Sequence, residues 1–298
     1  MRTVLSDARR GHPGLHGFAV AMAGLAVVLL VLLVVDQRTL AGAPLWVKPL
    51  KFAISLALYS ATLAWLLSRL PRPGLRVTGW VVAAAGLIEI VIITGQAARG
   101  RLSHFNADGL ENSLLFALMG LTIAVLYVAT IAVAVRFLRE RGLGRVEARA
   151  VRLGLLVTLL GLSVGYVMVA NGAHAVGVPD GGPGLPFTGW STTGGDLRVA
   201  HFVGLHALQL LPLLALLLRS RLGEGAQLRV VTAAGAALAA GVGLLTWQAL
   251  RAQPLLAPDG LTLAALAVVE LGTGAAVASA VRDDRLARAE HDVPAVTR

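Results

Sequence analysis

Eight apolar segments recur along this chain, at 17–35, 45–68, 77–96, 112–135, 153–170, 199–218, 230–248 and 261–281. Each is close to the roughly 20 residues that a helix needs to cross a hydrocarbon core about 30 Å thick. A backbone in lipid has no water to bond to, so a spanning segment must satisfy its own N–H and C=O groups, and it does so as a helix. Ala, Leu and Gly dominate the segments and favour close helix–helix approach. The composition agrees: only 14% of the 298 residues are charged, against about a quarter in soluble domains. The expected fold is an all-α integral membrane protein of eight transmembrane helices, a single polytopic domain.

Charge sets the expected orientation. The N-terminus, the second, fourth and sixth connections and the C-terminal tail hold 19 of the 26 Lys and Arg residues. The other seven are Arg38, Lys48, Lys51, Arg99, Arg101, Arg198 and Arg251. By the positive-inside rule the Arg-rich side, with both termini, is cytoplasmic in a cell-membrane protein. The net charge of +10 is therefore topology, served by attraction to anionic headgroups, and no nucleic-acid partner is expected. Ala41-Gly42-Ala43 resembles a signal-peptidase site, but the apolar stretch before it is too long and Asp36, Gln37 and Arg38 intervene. The first segment reads as a retained anchor. With no cysteine, disulfides, thiolate catalysis and Cys-type metal sites are excluded.

The second half echoes the first at an offset of 151–153. Leu45-Trp46-Val47 matches Leu197-Arg198-Val199, and Ser68-Arg69-Leu70 matches Ser220-Arg221-Leu222. Leu75-Arg76-Val77 recurs as Leu228-Arg229-Val230, and Asp108-Gly109-Leu110 as Asp259-Gly260-Leu261. Thr94-Gly95-Gln96-Ala97-Ala98-Arg99 recurs as Thr246-Trp247-Gln248-Ala249-Leu250-Arg251. The shared offset points to repeats over 17–136 and 151–282. A unit of four spans repeats in the same orientation, so the expectation is two parallel four-helix halves about a pseudo-twofold axis along the membrane normal.

Polar residues of mixed type collect on the side opposite the arginines. Lys48 and Lys51 share a face at the start of the second segment. Glu89 lies within the third, which ends in Gln96 and Arg99 with His104 just beyond. An intramembrane carboxylate is costly and reads as functional, here as a partner for Lys48, Lys51 or a nearby Arg. Glu270, within the eighth segment, raises the same question without a basic residue close in sequence. The sixth segment carries Arg198, His201, His206 and Gln209 behind Asp196, a good N-cap. Five residues of regular helix turn His201 and His206 about 140° apart, so no metal site is expected; any metal would draw on His201, His206, His104 and His174. Pro49 aligns with His201, and Gln96 and Arg99 with Gln248 and Arg251, which suggests one cluster near the axis. The long connection 171–198 reads as an ordered lid with Phe187 and Trp190 at the interface.

Three functions fit. The excess of Lys, Arg and His suits binding or transport of an anionic small molecule or lipid headgroup, although no span shows the Gly/Pro break typical of discontinuous transporter helices. Alternatively, the protein is a membrane-embedded heme- or metal-binding oxidoreductase using His201 or His206. Eight helices in two parallel halves is similar to the architecture of heme A synthases, which implies a bis-His heme in each half. Here, however, only the sixth segment carries histidines, and no Glu-x-x-His-Arg motif occurs. A structural or assembly factor without a small-molecule ligand is the third reading. The charge asymmetry makes its own prediction: alkaline phosphatase fused after Ala257 is active and fused after Arg141 inactive, and the reverse pattern would overturn the orientation.

Overall fold

The computed structural model describes residues 2–70 and 75–291, and these are almost entirely helical. Two compact units emerge, one running through Glu140 and taking in 171–173 and 178–193, the other covering 141–170, 174–177 and the chain from Gly194. The first unit contains α1 (Arg2–Gly11), α2 (Pro13–Val35), α3 (Val47–Leu67), α4 (Arg76–Ala98) and α5 (Gly109–Arg139), with a two-strand hairpin β1 (Thr39–Leu40) and β2 (Ala43–Pro44) between α2 and α3. The second contains α6 (Arg145–Asn171), the pair β3 (Ala175–Val176) and β4 (Gly195–Asp196), then α7 (Leu197–Leu205), α8 (Ala207–Leu218), α9 (Glu224–Leu250) and α10 (Gly260–His291).

Seven of the described helices are long and apolar enough to cross a membrane: α2, α3, α4, α5, α6, α9 and α10. The sixth apolar segment is divided. α7 and α8 meet at His206 with a 43° bend, and only as a pair do they make an eighth span. The expectation of an unbroken sixth segment is thus corrected. Pro212 lies inside α8, where it has no N–H to give to the Leu208 carbonyl. Gly204 sits just before the break, and both breakers lie within a segment apolar enough to read as one span.

Several helices outrun the apolar segments at their Arg-rich ends. α5 continues to Arg139, α6 starts at Arg145, and α10 reaches His291. The apolar run stops where lipid would stop, but Arg, Glu and Ala keep the helix going beyond it. The pairs Arg136–Glu140 at 2.7 Å and Arg288–Asp284 at 2.9 Å, each four residues apart, support those extensions. Along α2 and α10 large apolar side chains stand exposed, among them Val27, Val31, Val34, Leu263, Val268 and Leu271. Such surface is stable only against lipid or another apolar surface.

His12 fixes the start of the first unit. Its ring is 1% exposed and caps α2: Nδ1 accepts from the Leu15 N–H at 3.0 Å. Nδ1 is therefore the unprotonated nitrogen, and Nε2 carries the proton that it donates to the Arg76 carbonyl, 2.9 Å away at the head of α4. The Trp80 ring meets the imidazole edge-on at 5.5 Å. At Gly79 any side chain would strike the same ring, and at Gly11 it would collide with the Ala64 carbonyl of α3. One side chain thus caps one helix and pins a second.

Two local geometries occur in both units. In the first, Leu45 N–H donates to the Arg38 carbonyl at 2.9 Å, just past the pairs Thr39↔Pro44 and Leu40↔Ala43. In the second, Leu197 N–H donates to the His174 carbonyl at 3.0 Å, past Ala175↔Asp196 and Val176↔Gly195. The first hairpin closes through Ala41 and Gly42 at φ 48° and 76°, the two positive angles of a type I′ turn. In the second, the connection 177–194 replaces that turn. The ends of α4 and α9 also correspond. Arg101 N–H donates to the Gln96 carbonyl at 2.9 Å and Gln253 N–H to the Gln248 carbonyl at 3.2 Å. Gly100 and Ala252 take the positive φ (67° and 56°) of a Schellman-type stop.

His12→Ala is expected to lower the unfolding free energy in detergent by about 2 kcal/mol, from a lost cap and a lost buried hydrogen bond. His12→Asn recovers roughly half, because Asn can still cap. Denaturant titration measures both.

Candidate functional site

Lys48, Lys51, Glu89, Gln96, Arg99 and His104 belong to the first unit; Arg198, His201, His206, Gln209 and Glu270 belong to the second. In the first unit the approach to α3 is set by Asp36. Its carboxylate accepts from Trp46 Nε1 at 2.9 Å and pairs with Arg38 at 2.7 Å. The Arg38 and Trp46 hydrogen bonds hold the Asp36 carboxyl well below its ordinary value of 3.8. Trp46 immediately precedes α3, so this anchored turn determines where Lys48 and Lys51 stand.

Lys51 Nζ donates to the Thr188 carbonyl at 2.8 Å. The segment that it reaches is folded back on itself. Gly184 bridges Ser191, and Leu185 N–H donates to the Trp190 carbonyl at 2.8 Å. Gly181 packs on Ala41 and Gly42 of the hairpin turn. Phe187 stands exposed at positive φ.

Glu89 faces into the unit from α4 and is 1% exposed. One carboxylate oxygen accepts from Thr122 Oγ1 of α5 at 2.5 Å. The other is buried without a hydrogen-bond partner. Lys48 is close enough for its charge to act on this carboxylate, whereas Lys51 is engaged with the Thr188 carbonyl. Ile92, Ile93 and Met119, with Phe52 and Leu115, form an apolar cluster in the same part of the unit. Gln96 is occupied elsewhere: its Nε2 donates to Asn112 Oδ1 at 2.8 Å, and Asn112 donates on to the Asp108 carbonyl. Arg99 makes a two-pronged ion pair with Glu111 at the surface. His104 lies between Phe52 and Phe116, at ring distances of 5.6 and 6.3 Å, with Ser103 Oγ 3.0 Å from Nδ1.

The second unit uses its polar residues to hold the broken helix. Asp196 caps α7 through the Arg198 N–H at 3.0 Å and pairs with the Arg198 guanidinium at 2.5 Å. α6 and α7 cross where Gly161 meets Gly204, so closely that a Cβ on either would strike the other's backbone. His201 Nδ1 lies 2.8 Å from the Gly161 carbonyl at this crossing, and His206 Nδ1 lies 2.7 Å from the Phe202 carbonyl. Thr158 Oγ1 donates at 3.3 Å to the Gly204 and Leu205 carbonyls at the break. The Gln209 amide, with its nitrogen turned toward them, reaches the Leu205 and His206 carbonyls at 3.2 Å. The 140° separation expected of His201 and His206 presumed a regular helix, and the bend removes that premise. Glu270 is exposed on α10.

Among the described residues no three His, Cys, Asp or Glu side chains converge as a metal site. Histidine is not confined to the sixth segment, as the sequence reading had it: α2 begins at Pro13, which puts His16 inside the first helix and His12 at its cap. Thr122, Thr158 and Asp36 were missed. A span hydroxyl gives little signal in sequence, since Thr62, Thr246 and Thr273 bond a carbonyl in the preceding turn of their own helix. A scan against protein-family profiles and searches of curated proteins and solved structures return no match.

Acid stability should report the Asp36 anchor. Its folded-state pKa is depressed, so its contribution is complete above the ordinary carboxylate range and is lost as pH falls below it. Unfolding curves followed down through that range should converge for the wild type and Asp36→Asn, and a gap that stays constant would refute the assignment.

Proposed function

We propose that this multi-pass membrane protein binds or transports an anionic small molecule or lipid headgroup at the Lys48–Glu89 centre of its first unit. The observation that carries this reading is Glu89: buried, bonded through one oxygen to Thr122, its other oxygen without a hydrogen-bond partner, and electrostatically linked to Lys48. A carboxylate within a span costs several kcal/mol, and one left half-satisfied marks a place where a proton or ligand exchanges. In the empty state Lys48 and Glu89 offset each other's charge. An anion that takes Lys48 leaves Glu89 negative beside a second negative charge, so the carboxyl takes up a proton. Anion binding and proton uptake are thereby coupled.

The Arg-rich connections and both termini lie in the cytoplasm in this reading, which places the Lys48 end outside. The chain is a duplication of four spans. The shared offset supports this, as do the matching pairs Leu45–Arg38 and Leu197–His174 and the matching stops after α4 and α9.

Thermal unfolding in detergent, with phosphate, sulfate, citrate and phosphatidylglycerol as probes, tests the site. At least one anion should stabilise the wild type, with one proton taken up per anion bound. Lys48→Ala should abolish the stabilisation. Glu89→Gln should strengthen binding about tenfold and remove its pH dependence. If no probe shifts the transition, or if Lys48→Ala responds as the wild type does, the reading fails.

A further inference from the structure

At the Arg-rich end of the first unit, between the end of α1, the start of α2, the end of α3 and the start of α4, lies a cavity of about 750 Å³. Four arginines line it: Arg9 and Arg10 from the last turn of α1, Arg69 just after α3, and Arg76 at the first position of α4. Asp7 is the one carboxylate among the described lining residues. We propose that this cavity is a binding site for a phosphate-bearing anion, distinct from the Lys48–Glu89 centre and independent of it.

Charge decides the case. Two helix N-termini and two C-termini meet at the cavity, and their partial charges of about +0.5 and −0.5 each cancel. What remains is four guanidinium groups against one carboxylate. Asp7 already pairs with two of them, with Arg10 at 2.5 Å and with Arg69 at 3.7 Å. Arg69 is further oriented by stacking on Trp65 at 4.9 Å, so its planar fork is held in place before any ligand arrives. Preset guanidinium groups suit the tetrahedral oxygens of a phosphate, which accept two parallel hydrogen bonds from one fork.

The walls are rigid. Gly11 packs directly on Ala64 and Ser68 of α3, and His12 bonds the Arg76 carbonyl. The arginines therefore hang from a fixed frame of four helix ends. A diffuse basic surface would attract anionic lipid without such a frame. The cavity size admits either a lipid headgroup or a free diphosphate.

The full-length protein provides the test. One arm measures binding of inorganic pyrophosphate in detergent. The other counts phosphatidylglycerol retained by native mass spectrometry from nanodiscs of phosphatidylglycerol and phosphatidylcholine. At least one probe should bind, and Arg69→Gln with Arg76→Gln should weaken it at least tenfold, while Arg282→Gln on α10 leaves it unchanged. Pyrophosphate binding alone assigns a soluble phosphate, and phosphatidylglycerol retention alone assigns a lipid headgroup. Arg9→Gln and Arg10→Gln, both at exposed positions, give the same readout should the first pair disturb folding. Binding of neither probe, or equal loss in Arg282→Gln, overturns the proposal.

Discussion

Backbone hydrogen bonding without water is the constraint from which the rest of the structure follows. Inside a bilayer an unpaired carbonyl or amide costs several kcal/mol, so each long apolar segment closes its own bonds as a helix. The places where a helix ends, breaks or starts are then the places where side chains must supply partners. His12 does so at the head of α2, Asp196 at the head of α7, and Thr158 and Gln209 at the break between α7 and α8. Much of the intramembrane polarity of the second unit is spent in this way.

That accounting separates the candidate residues. Arg198, His201, His206 and Gln209 are tied to the local frame of α6, α7 and α8, and Gln96 is tied to Asn112. Glu89 is different. It caps nothing and bonds no backbone; Gln96 also keeps a buried oxygen without a hydrogen-bond partner, but of the two only Glu89 can carry charge, and Lys48 stands near it. The same reasoning distinguishes the arginine-lined cavity, where four cations surround one carboxylate and the frame is held by His12 and Gly11. Excess charge or an unmet bond on a rigid frame is what a ligand can use.

Paired local geometries recur in the two units. A hairpin followed by a returning amide bond delivers the chain into α3 in one unit and α7 in the other, and the same type of stop closes α4 and α9. The units differ where side chains carry out different tasks. Lys48 and Lys51 follow the short turn through Ala41 and Gly42, whereas 177–194 takes that place between β3 and β4 and the helix that follows is broken.

Much of the architecture was legible in the sequence because hydropathy is additive along a chain: the apolar segments, the Asp196 cap and the recurrent offset needed no knowledge of neighbours. The helix extensions past Val135 and Val281 were less visible, because lipid contact ends there while helix propensity does not. Three features required the tertiary structure. The break at His206 depends on Gly161 admitting Gly204 and on Thr158 meeting the freed carbonyls. The nearness of Lys48 to Glu89 depends on how α3 and α4 pack, and the gathering of Arg9, Arg10, Arg69 and Arg76 on four helix ends meeting. Sequence alone determined which stretches are long and apolar enough to cross lipid, since that is a property of each segment by itself. Only the tertiary structure decided which polar groups are satisfied, since a hydrogen bond belongs to two residues and the chain brings most such pairs together only by folding.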